Sequence, residues 1–155
     1  MTMADRPEYW LAWLVDGEGG QIKRAAEALD LIEAEIKNRR IPRTGDRARD
    51  EGIPVNRITV NMWWRSDTPA LHMKSEMDGD VVAHVAVQDY GSSLYVYLML
   101  LGVEWDANWA KRMHFQAFRW SLTRAVEDAL GQLPGNSKIS NIEDVSDQNR
   151  HQYQQ

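Results

Sequence analysis

The sequence predicts an α+β protein, a two-layer sandwich in which a four-stranded antiparallel meander carries two N-terminal helices and a long C-terminal helix, in the order ααββββα. Three observations predict it. Residues 22–36 repeat apolar side chains at helical spacing, residues 57–101 hold four period-two segments, and residues 107–130 return to helical spacing.

The first helix is expected through Tyr9, Trp10, Leu11, Trp13 and Leu14. Pro7 suits an opening helical turn, and Gly17, Gly19 and Gly20 offer positive-φ exits. In the second helix Ile22, Leu29 and Ile36 recur every seven residues, with Ala25 and Ile32 between them. Lys23, Arg24, Glu27, Glu33, Glu35 and Lys37 fall outside that stripe. Pro42, Gly45, Gly52 and Pro54 then punctuate a polar loop. Arg39, Arg40, Arg43, Arg47 and Arg49 crowd into it and into the preceding helix end, where cations are favoured.

Four strands follow. Ile58, Val60, Met62 and Trp64 mark the inner face of the first, Leu71, Met73, Ser75 and Met77 that of the second. Val81, Ala83, Val85 and Val87 mark the third, and the fourth, Leu94 to Leu101, is apolar or aromatic on both faces. Matching inner face to inner face pairs Met77 with Val81 around an Asp78-Gly79-Asp80 loop, Trp64 with Leu71, and Val87 with Leu94. In this meander the last strand lies at an edge, and an apolar edge is an aggregation hazard unless covered.

Asp106 can cap the final helix, Ala107 to Leu130, which Gly131 and Pro134 end. Its apolar residues cover more than one stripe, so it needs burial on two sides. Residues 135–155 are polar and read as a mobile tail, leaving 1–134 as a single domain.

Composition narrows the function. The chain has no Cys, which excludes disulfides, thiolate nucleophiles and Cys-ligated zinc, and suits a reducing compartment; cytoplasm is expected. No basic and then apolar leader is read at the start, and the run Leu94 to Val103 is far short of the ~20 residues a membrane helix needs. A net charge of −5 sets the chain at a disadvantage for nucleic acid, whose binding draws on phosphate neutralisation.

On the outer sheet face, the register above sets Lys74 across from His84, Tyr97 beside His84, and Trp63 opposite His72. Trp63, His72, Lys74, Glu76, His84, Tyr95 and Tyr97 then form one amphipathic patch, expected to bind a ligand or partner. Two His and one Glu have the chemistry of metal ligands, but Lys74 places a cation among them, so no metal or cofactor is expected. His84 has acid–base chemistry without an identifiable nucleophile. Leu98, Trp109, Met113 and Trp120 are expected at a contact between subunits.

The segment Leu11-Ala12-Trp13-Leu14-Val15-Asp16-Gly17-Glu18-Gly19 resembles the signature helix of the LAGLIDADG homing endonucleases. The resemblance implies two closely packed helices and a metal-binding acid at the position of Glu18.

Surplus apolar surface points first to a non-enzymatic interaction or assembly module, a homodimer or a chain that docks a protein partner. A small enzyme using the His/Glu/Tyr face is the second reading, and a metal-dependent endonuclease the third.

Overall fold

A computed structural model describes residues 9–16, 25–43, 52–62, 65–76, 81–101, 109–133 and 138–145. In chain order these give β1 (Tyr9–Asp16), α1 (Ala25–Arg39), β2 (Asn56–Met62), β3 (Arg65–Ser75), β4 (Val81–Tyr90), β5 (Ser93–Leu101), α2 (Trp109–Leu130) and β6 (Lys138–Val145). All the strands join one six-stranded sheet in the order β2-β3-β4-β5-β1-β6, every neighbouring pair antiparallel. The class is α+β, but the expected four-stranded meander with three helices is corrected to six strands and two helices.

The expected first helix is β1. Tyr9, Leu11, Trp13 and Val15 are buried on one face, while Trp10 and Leu14 on the other are partly exposed. A segment apolar on both faces satisfies either period, and its aromatic and β-branched content favours the pleated form. Its partner is β5, from Tyr9 opposite Leu100 to Asp16 opposite Ser93. That pairing removes the expected edge: β5 is an interior strand, flanked by β4 and β1.

Part of the expected tail is also strand. β6 pairs with the free side of β1, with an irregularity between Ala12 and Trp13. There the Asn141 side-chain amide donates to the Ala12 and Glu143 carbonyls, each at 3.2 Å. Apolar content is low in this strand, so backbone pairing and side-chain contacts such as Arg119–Asp144 hold it.

Both hairpins between β3 and β5 are slipped by two residues from expectation. Ser75, not Met77, faces Val81, and Val87 faces Val96 rather than Leu94. The turn between β4 and β5 tightens to Gly91-Ser92, with Gly91 at φ 60° in the first central position that type II′ hairpins give to Gly. Between β2 and β3, Leu71 faces Arg57, and Trp64, its expected partner, lies outside the described residues.

Both helices lie on one side of the sheet. Leu29, Ile32 and Ile36 of α1, with Phe118, Leu122 and Val126 of α2, share one core with Trp13, Leu71, Met73 and Leu98. Polar ties lie on the same side: Trp13 Nε1 donates to Glu127 at 3.3 Å, Arg39 at the end of α1 pairs with Asp128, and Arg57 pairs with Glu33. Burial against both α1 and the sheet meets most of the two-sided requirement of α2. Leu98, expected at a subunit contact, is instead fully buried in this core.

Candidate docking surface

Because side chains alternate along a strand, every strand that sends residues into the core sends as many to the opposite side of the sheet. Among the described residues, no helix packs there. From β1 this face receives Trp10, Ala12 and Leu14; from β5, Tyr95, Tyr97, Met99 and Leu101; from β4, Val82, His84 and Ala86. Ala12, Ala70 and Ala86 are fully buried among larger neighbours, whereas Trp10, Leu14, Tyr95, Tyr97 and Met99 stay partly exposed. Charged groups, Lys74, Asp16 and Glu143, stand at the margins.

The two histidines of the expected patch meet directly. His72 on β3 is the cross-strand partner of His84 on β4, and Lys74 faces Val82 instead. Nδ1 of His72 lies 2.9 Å from Nε2 of His84, with ring centroids 5.1 Å apart. One ring donates its N–H and the other accepts. Burial, reinforced by the neighbouring His72, holds the His84 pKa below its ordinary value. Tyr97 is diagonal to His84, being opposite Ala86, and stacks with Tyr95 at a centroid distance of 6.2 Å. Burial first, then Tyr95 and Glu143, push the Tyr97 hydroxyl up to about 12. Burial also raises Tyr95, with Glu143 adding to it. Both phenols therefore stay neutral at physiological pH.

The remaining expected site residues separate. Trp63 lies outside the described residues. Glu76 follows β3, donates its backbone N–H to the Arg43 carbonyl at 2.9 Å, and pairs with the Arg43 guanidinium at 3.3 Å. It belongs to the loop after α1 rather than to the histidine pair. Of the arginine cluster, Arg39 and Arg43 are committed to these ion pairs, and Arg47 and Arg49 lie outside the described residues. Trp109, Met113 and Trp120 stand exposed along one side of α2, at 73%, 60% and 60%. The Arg124 guanidinium lies 5.9 Å from the Trp120 ring centroid.

Sequence reasoning missed a Ser–His contact. Ser75 Oγ lies 3.1 Å from His114 Nε2 on α2, but Ser75 is fully buried, so no substrate reaches its hydroxyl. It also missed Thr68 and Gln88, whose Oγ1 and Oε1 are buried without a hydrogen-bond partner. A cavity of about 310 Å³ between the start of α1 and β3–β4 is lined by Ala25, Leu29, Pro69 and Val87 among others, and neither histidine of the pair lines it.

The segment resembling the endonuclease helix is β1 up to Asp16, and Glu18 lies outside the described residues. Among the described residues no group of three or more His, Asp or Glu is placed to hold a metal ion, and no helix is long and apolar enough to cross a membrane. No family model matches the chain, and a search of the curated proteins finds no match.

Proposed function

We propose that the chain is a non-enzymatic assembly module that joins a second copy of itself through the helix-free face of its sheet. The observation that supports this reading is that face: among the described residues it is apolar and aromatic at its centre, charged at its margins, and covered by neither helix. Six strands ~4.8 Å apart, about nine residues long on average at ~3.3 Å per residue, give it an area on the order of 850 Å². A standard stable interface buries about 800 Å² per partner. A surface with an apolar centre and a charged rim is complementary to its own copy, which is what a two-fold contact requires.

Sedimentation of the chain at micromolar concentration tests the proposal. The expected mass is twice the 17.9 kDa of one chain. Met99→Glu places a charge at the centre of the face, and loss of a burial worth about 1.5–3 kcal/mol weakens the dimer by roughly ten- to a hundredfold. Trp120→Glu, on the other side of the molecule, leaves it intact. A wild-type mass of one chain, or a dimer sensitive to Trp120→Glu and indifferent to Met99→Glu, overturns this assignment.

A further inference from the structure

We infer that the copy-to-copy contact is gated by protons through the His72–His84 pair, holding when both rings are neutral and weakening as they gain charge. The inference rests on the proposed assembly and names its regulation.

Position comes first. The midline of the sheet falls between β4 and β5, so the pair, on β3 and β4, lies within about one strand spacing of it. His84 also sits near the middle of β4, between Val82 and Ala86. A second copy laid on the face therefore covers the pair and removes its access to water. Among the described residues no carboxylate faces the pair from a neighbouring strand, and Glu143 stands on β6, with β5 and β1 between it and β4. Met99 faces His84 from β5, Asn56 faces His72 from β2, and Tyr97 is diagonal and neutral. The charged group nearest along β3 is Lys74, two residues from His72, a cation that opposes a further positive charge.

The hydrogen bond between the rings sets the sequence of events. In the neutral pair one N–H points at the other ring's unprotonated nitrogen. A first added proton leaves that bond in place but puts a cation into the apolar contact. A second gives both facing nitrogens a hydrogen, which ends the bond and sets two like charges side by side. A two-fold partner brings its own pair to the same region and adds to the repulsion. The background electrostatics run the other way: nearer the pI of about 5.3 the net negative charge falls, which by itself favours association. Dissociation on mild acidification thus points to the histidines.

The experiment is sedimentation equilibrium of the full chain at about pH 7.5 and about pH 6.0, with circular dichroism at each pH. The wild-type dissociation constant is expected to rise roughly fivefold or more on acidification, because protons bind the separated chains more readily than the docked ones. His72→Gln/His84→Gln removes that dependence, and His84→Gln alone weakens it should the double variant fold poorly. His114→Gln, on the helix side, retains it. A wild-type dimer equally tight at both values overturns the gating and leaves the assembly reading standing. A monomer at pH 7.5 overturns both.

Discussion

Arg40 shows how much one backbone angle carries. It follows α1 at φ 48°, a left-handed conformation that places its N–H 3.3 Å from the Lys37 carbonyl. This is the position where helices prefer Gly, since a side chain there costs about 1 kcal/mol. Arg40→Gly is expected to raise unfolding free energy by roughly that amount, read by urea denaturation with tryptophan fluorescence. Against it packs Gly52, at φ 90°, where an added Cβ would come within 3.3 Å of the Arg40 Cα. Gly52→Ala is expected to destabilise the chain in the same assay, and equal or greater stability would show that this loop yields freely. At this scale the sequence was partly legible. His72 and His84 stood out as members of one face, but their mutual contact did not. A two-residue slip of a hairpin keeps every side chain on its face while changing its neighbour, so periodicity reports the face and leaves the partner open.

β6 governs the element scale. Cutting the chain after Pro134 removes the strand, the Arg119–Asp144 pair, and Ile139, which packs against the core. It also exposes one side of β1 as an unpaired edge. The truncated chain is expected to melt several degrees lower, as about 2 kcal/mol shifts the midpoint of a domain this size by roughly 4–8 °C. An unchanged midpoint would show that β6 adds nothing to stability. Neither β6 nor β1 was legible as a strand, for opposite reasons. β1 carries apolar side chains on both faces, so its period is ambiguous. β6 has too few apolar residues to show a period, and its place depends on backbone groups of β1 that no composition reveals. α1 and the body of α2 were legible because each has a polar side.

At the scale of the whole molecule, two pKa shifts give acid the same sign. The His84 pKa lies below its ordinary 6.5 because burial disfavours the cation. The unfolded chain then binds the proton more readily, and stability falls as pH drops through 6.5. Glu33 lies below its ordinary 4.5, chiefly through its hydrogen bond to Arg57, and that stabilisation, present above 4.5, is lost as pH falls further. Urea midpoints are therefore expected to decline in two stages, the first missing in His84→Gln and the second reduced in Arg57→Gln. A midpoint flat from neutral pH to below 5 would contradict the first stage. The α+β class, the antiparallel sheet and the placing of helices on one side were legible at this scale. The six-strand order was not, because it is decided by where β1 and β6 insert, β1 beside β5 and β6 beside β1.

That insertion has a consequence for how the molecule comes into being. Asp16 and Ser93, joined across β1 and β5, are 77 residues apart in the chain, and Asn141 reaches Ala12 across 129. The hairpins from β2 to β5 are local and can close early, whereas β1 leaves the ribosome first and must wait for a partner made much later. Until it arrives, β5 has one apolar side without a partner strand. Joining β1 to β5 therefore closes a loop of 77 residues, a non-local step that comes late because its entropy must be lost before the pairing repays it.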